Sequence, residues 1–316
     1  MSQTPQERLR GSIVPLVTPF DDANQIDAAA IERLVDWQLA AGTHGISVGG
    51  TTGEPSALTA AEREQLFRVT MAAVAGRAPV VLGSGSNNIE ETLALTGVAA
   101  QLGADAALVI VPYYNKPSQE GLFQHFRTVA ASVPSLPIIV YNIPGRTAAN
   151  MEPETLKRLR SACPNVIGVK EANRDFEQVS AVLATVGRDF LVYSGIEALC
   201  YPMLAVGGAG HISATANILP APVADLYNLV ARNDYAAARD LHFHLLALNQ
   251  ALFWETNPAP VKAAMGMMGL IRPAVRLPLV SISEAHRAGL EQILREYGIP
   301  ITDSAASDFP GREGPA

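Results

Sequence analysis

The chain has 316 residues, 48% hydrophobic and 17% charged, which is apolar material enough for one large domain or two smaller ones and excludes global disorder. A formal net charge of −7 argues against a nucleic-acid footprint, which needs a basic face. The two cysteines, Cys163 and Cys200, have no metal-ligand spacing, and no run of about 18 apolar residues is present to span a membrane. Met1 to Arg10 is polar and lacks an apolar signal core, so a soluble cytoplasmic protein is expected.

Eight strand-like runs alternate with helix-like runs. They are Ile13–Thr18, Gly45–Gly49, Pro79–Gly83, Ala106–Val111, Pro137–Tyr141, Val166–Lys170, Phe190–Ser194 and the glycine-rich Gly207–Ala214. Asp27 can cap a first helix, with Ile31, Leu34, Val35 and Leu39 on one face. Thr59 to Glu62 has capping-box spacing ahead of Leu66, Phe67 and Val74. Helices are also expected over 88–102, 118–132, from Pro153, and over 175–186 and 222–230. Apolar strands alternating with helices predict parallel pairing buried on both faces, and eight such units predict a (β/α)8 barrel over 11–232. An open doubly wound sheet is the alternative, but neither G-x-G-x-x-G nor a P-loop motif is present. Beyond residue 233 only helical periodicity continues, which predicts a helical domain over 233–300. The Ser-, Asp-, Gly- and Pro-containing end, 301–316, reads as a disordered tail.

Val166-Ile167-Gly168-Val169-Lys170 runs a buried strand straight into a lysine. A buried ammonium is costly unless paired, and a neutral amine is the nucleophile that forms a Schiff base with a carbonyl. A strand-end lysine can also pack its stem and keep its head in water. In a barrel, functional groups collect at the C-terminal strand ends. Gly50-Thr51-Thr52-Gly53-Glu54, Tyr113-Tyr114-Asn115-Lys116-Pro117 and Tyr141-Asn142-Ile143-Pro144-Gly145-Arg146 all fall there, beside Lys170. Each has a structural explanation alone. Together they put an amine, phenols, hydroxyls and a guanidinium on one face.

These segments, with Gly168–Ala172 and Thr256-Asn257-Pro258-Ala259-Pro260-Val261-Lys262, resemble the dihydrodipicolinate synthase / N-acetylneuraminate lyase family of class I aldolases across residues 11 to 300. The Tyr-Tyr-Asn and Pro-Gly-Arg-Thr segments favour the synthase branch. The resemblance implies a Schiff base between Lys170 and pyruvate. It makes Tyr141 the proton relay and Thr51 its link to Tyr114, which reaches in from a neighbouring subunit. Thr51 and Thr52 would hold the pyruvate carboxylate, and Arg146 the carboxylate of aspartate semialdehyde. Gly50 and Ile212 join them as substrate-binding positions. No metal or organic cofactor is implied, because the iminium is the electron sink. The implied assembly is a homotetramer, a dimer of dimers.

Some positions depart from the family pattern. Asn173, Arg174 and His211 replace residues usual in the synthases, and Asn173 and His211 are expected at the barrel mouth, where the acceptor is chosen. They keep open a second function, a pyruvate-dependent aldolase or dehydratase acting on a sugar acid or other 2-oxo acid. A non-catalytic ligand-binding barrel is a third. Pro55 and Ala60 alter the lysine feedback site of regulated members, although Asn87 and Glu91 are retained, so lysine inhibition is not expected.

Overall fold

The computed structural model describes residues 4–302 of the chain. Eight strands form a closed parallel barrel in chain order: β1 Gly11–Pro15, β2 Gly45–Val48, β3 Val80–Gly83, β4 Ala106–Ile110, β5 Ile138–Asn142, β6 Val166–Glu171, β7 Leu191–Ser194 and β8 Gly210–Ile212. Helices Ala28–Ala40, Ala60–Val74, Ile89–Gln101, Gln119–Ser132, Pro153–Ala162, Phe176–Val186 and Cys200–Ala205 connect successive strands, and Pro220–Ala231 follows β8. The (β/α)8 expectation is borne out. The helix starts have the expected chemistry. Asp27 accepts from the Ala30 N–H at 2.9 Å, and Thr59 and Glu62 cap each other reciprocally.

Alternation along each strand sorts side chains into two apolar layers. Ile13, Val81, Leu108, Ile139, Tyr141, Leu191, Tyr193 and Ile212 fill the barrel. Val14, Ile46, Val80, Val140 and Val169 pack outward against the helices. Burial on both faces is why the strands read as unbroken apolar runs.

The differences from expectation lie where the barrel closes. β1 starts earlier, because Gly11 and Ser12 pair with Gly210 and His211 of β8. It also ends earlier, since the Val17 N–H turns to the Asn217 side chain at 3.2 Å and the Thr18 hydroxyl to the Gly53 carbonyl at 2.7 Å. β8 is only Gly210–Ile212, with a turn through Gly207 (φ +105°) before it and a 3₁₀ turn, Ala214–Asn217, after it. The short helix Cys200–Ala205 was not expected. It carries Pro202, which fits a first turn where no intrahelical N–H bond is required.

His211 is not at the barrel mouth. It is the middle residue of β8, beside Ser12 and Ser194, and its neighbour Ile212 points into the barrel, so His211 points out toward helix Pro220–Ala231. It is fully buried, and burial pushes its imidazole down to about 4, which keeps the ring neutral.

Helices Tyr235–Ala251, Ala259–Met267 and Glu284–Glu296 follow. Their Leu245, Leu248, Val261, Met265, Leu290 and Leu294 belong to the same apolar cluster as the barrel's outer layer. Among the described residues no helix is long and apolar enough to cross a membrane. Of the expected tail, residues 303–316 lie outside the described residues.

Candidate active site

A β-bulge aims Lys170. Ile138 pairs with Val166 but Ile139 pairs with Gly168, so Ile167 is an extra residue in β6. Val166 packs outward, and simple alternation from it would turn Lys170 toward the helices. The extra residue reverses that phase. Lys170 becomes the neighbour of Tyr141 inside the barrel, while Val169 packs outward. Lys170 is 6% exposed, and its Nζ lies 4.3 Å from the centre of the Tyr141 ring. Gly195 flanks the stem: a Cβ there would stand 2.8 Å from Lys170 Cε, so a side chain at 195 would displace the amine.

The loop after β2 supplies the hydroxyls. Gly49 adopts φ +72° and leads through Gly50 into a 3₁₀ turn, Thr51–Gly53. The Thr51 hydroxyl lies 3.3 Å from the Tyr141 hydroxyl, so the two form a hydrogen-bonded pair. Gly49, Gly50, Thr51 and Tyr141 share a narrow space of about 30 Å³ at the mouth. Thr52 is buried and accepts a hydrogen bond from Asn257 Nδ2 at 3.0 Å. Ile212 closes the barrel interior at the end of β8.

A cavity of about 410 Å³ opens beside this pair, lined among others by Thr51, Tyr113, Arg146, Thr256 and Asn257. Arg146 rides on the single helical turn Pro144–Thr147, and its Nη2 donates to the Asn257 carbonyl at 3.3 Å. The two other arginines of the lining have carboxylate partners: Arg63 meets Glu91 at 3.1 Å and Arg276 meets Glu62 at 2.8 Å. Among the described residues Arg146 has no carboxylate partner, so its charge is available to an incoming anion. The Arg63 pair also occupies Glu91, one of the two residues retained from the feedback set. Tyr114 is not brought to Tyr141 within the chain. It is 86% exposed and held at φ +73°, a left-handed conformation that is costly for a side chain of this size.

Buried polar groups brace the loops. Glu54 forms a fully buried ion pair with Lys262 and accepts the Arg276 N–H at 2.9 Å, tying the Thr51-Thr52 loop to the C-terminal helices. Glu197 was missed in the sequence. Burial holds its carboxyl above the usual range, while the Ala214 N–H, at 2.8 Å, pulls it back. Behind Lys170, Glu171 accepts from Asn142 Nδ2 at 3.0 Å, Gln178 Nε2 at 3.2 Å and the Asn173 N–H at 2.9 Å. Asn173 is therefore part of this brace. Its own Oδ1 accepts the Asp175 N–H at 3.0 Å and its Nδ2 reaches Asn150 at 3.4 Å, so its side chain is bonded within the loop rather than presented to the mouth.

Burial pushes the Glu171 carboxyl up to about 7 from its ordinary 4.5, against the pull of its donors. A raised folded-state value means that protonation favours folding. This contribution is complete below about pH 4.5 and is lost as the pH rises through about 7. Glu171→Gln should flatten that part of the stability curve, read as denaturant midpoints between pH 4.5 and 7.5 on an approximate grid. An unchanged slope would show that Glu171 titrates normally.

A model of the dihydrodipicolinate synthetase family matches residues 8–297. The chain belongs to that family. A 4-hydroxy-tetrahydrodipicolinate synthase from Thermus thermophilus is 47% identical over 290 residues, covering 92% of this chain and 97% of the relative. The crystal structure of dihydrodipicolinate synthase from Aquifex aeolicus is similar with a TM-score of 0.91 and 40% identity, covering 93% of this chain and 100% of that one. A pyruvate complex of the chloride-inhibited Acinetobacter baumannii synthase has a TM-score of 0.89 at 39% identity, covering 92% and 98%. The family resemblance read from the motif segments is thereby borne out.

Proposed function

We propose that this chain catalyses the 4-hydroxy-tetrahydrodipicolinate synthase reaction, as a class I, Schiff-base-forming lyase that condenses pyruvate with L-aspartate 4-semialdehyde. The observation that carries the proposal is Lys170, sheltered inside the barrel, with its amine over the ring of a tyrosine that is hydrogen-bonded to Thr51. In this reading the neutral Lys170 amine adds to C2 of pyruvate, and Tyr141 protonates the departing hydroxide, leaving an iminium and water. The phenolate so left on Tyr141 takes a C3 proton, giving the enamine, whose electron pair attacks the aldehyde carbon. The aldehyde oxygen takes up a proton through Tyr141. The acceptor's own amine then adds to the iminium carbon and displaces Lys170, which frees the enzyme. The iminium is the electron sink, so no cofactor or metal enters. Thr51 and Thr52 hold the pyruvate carboxylate, and Gly50 and Ile212 shape its place. With His211 buried outside the barrel and Asn173 bonded within its loop, neither favours a different acceptor. A panel of acceptor aldehydes and 2-oxo acids tests the choice. Preference for a sugar-derived aldehyde over aspartate semialdehyde would overturn the acceptor assignment while leaving pyruvate in place.

Arg146 is read as the clamp on the acceptor's carboxylate. Arg146→Ala should lower kcat/KM for the semialdehyde about 10-fold to 150-fold, the range of a lost charge-assisted hydrogen bond, and should leave imine formation with pyruvate nearly unchanged. Equal loss in both steps would make Arg146 a structural residue.

An exposed aromatic in a strained backbone suits a residue completed by another subunit. We therefore take the active unit to be a symmetric dimer, and the assembly a cytoplasmic tetramer of two such dimers, with each Tyr114 entering the other site. Lys170→Ala and Tyr114→Phe subunits, each weakly active or inactive alone, should regain activity when mixed, because one site of the mixed dimer carries both lesions and the other none. Mixed dimers shown by mass spectrometry but without recovered activity would rule this out.

A further inference from the structure

We propose that Asn257 sets the hydrogen-bond direction of Thr52, making that hydroxyl a donor to the carboxylate of the first substrate. Asn257 is thus a positioning residue for pyruvate, an inference that rests on the roles of Lys170 and Thr52 given above. It lies between helices Tyr235–Ala251 and Ala259–Met267, 205 residues from Thr52 in sequence, and is 6% exposed. Its Nδ2 donates to Thr52 Oγ1 at 3.0 Å. A hydroxyl has one proton and two lone pairs. Among the described residues Thr52 Oγ1 has no other hydrogen bond, so one of its lone pairs is engaged by Asn257 and its proton is left for a ligand.

The other end of the amide shows what this orientation forgoes. Asn257 Oδ1 is buried and has no partner among the described residues. A turned amide would set Oδ1 against Thr52, draw the hydroxyl proton toward itself, and leave a lone pair facing a bound carboxylate. An orphan buried acceptor is unfavourable, and such groups persist where another requirement holds them. Here that requirement is a Thr52 proton aimed at an anion. The main chain of Asn257 has a separate task, since its carbonyl accepts from Arg146. Changes of the side chain alone should therefore act on pyruvate and spare the acceptor.

Asn257→Asp keeps the shape but cannot donate, so it captures the Thr52 proton and adds a negative charge. Its half-saturating pyruvate concentration, read by borohydride trapping without acceptor, should rise about 10-fold to 150-fold. The semialdehyde KM should change no more than about twofold, within the scatter of such comparisons. Asn257→Ala should give a smaller rise, about 3-fold to 10-fold, as for a neutral hydrogen bond. That rise should vanish in a Thr52→Val background, because the two residues act as one unit. Should Asn257→Asp fail to fold, the Asn257→Ala and Thr52→Val cycle decides. Absence of trapping in the parent chain would remove the Lys170 reading, and the inference with it. Trapping in the parent with unchanged pyruvate saturation in the Asn257 variants would overturn the inference alone. So would additive effects in the cycle, or an equal rise in the semialdehyde KM.

Discussion

Lys170→Ala will give no reduced adduct with pyruvate and borohydride, whereas the parent chain will gain one adduct, on Lys170. Condensing activity should fall by about 10⁴-fold or more, on the scale expected when a covalent nucleophile is removed. The physical basis is position. The amine is sheltered, its stem fits against Gly195, and among the described residues Lys170 is the only lysine on the eight strands. Digestion and mass spectrometry of the trapped protein locate the adduct. An adduct on another lysine, or full activity in the variant, would end the Schiff-base assignment at this residue.

Tyr141→Phe carries the second large effect. The ring beneath the Lys170 amine stays, so packing at the β5–β6 junction should be preserved and the melting temperature nearly unchanged. Only the hydroxyl that meets Thr51 at 3.3 Å is lost. Removing a positioned acid/base group costs about 10²-fold to 10⁴-fold in kcat. Both imine formation and condensation need proton transfer, so both should slow, unlike the acceptor-selective loss expected for Arg146→Ala. If kcat stays within about threefold of the parent, far short of an acid/base contribution, the relay runs through another group.

Much of the barrel was legible in the chain itself. Strands buried on both faces must be apolar throughout, and helices against a barrel must show a stripe and a cap, so the eightfold rhythm and the Asp27 and Thr59 helix starts could be read locally. The motif segments at the strand ends located Lys170, Tyr141, Thr51 and Arg146 for the same reason: the loops after parallel strands all open on one face. What local sequence could not decide was direction. The inward aim of Lys170 depends on one extra residue in β6, visible only in its register against β5. The outward aim of His211 follows from a three-residue strand whose limits are set by pairing with β1 across the whole chain. Asn173 looked available for a substrate until its loop closed on Glu171 and Asn150. Asn257 carried no local sign of its role, because its partners, Thr52 and Arg146, lie 205 and 111 residues away. Composition and periodicity determined which segments form the barrel. Which side chains meet at its mouth was decided by strand register and long-range hydrogen bonds, since a shift of one residue turns every side chain to the opposite face.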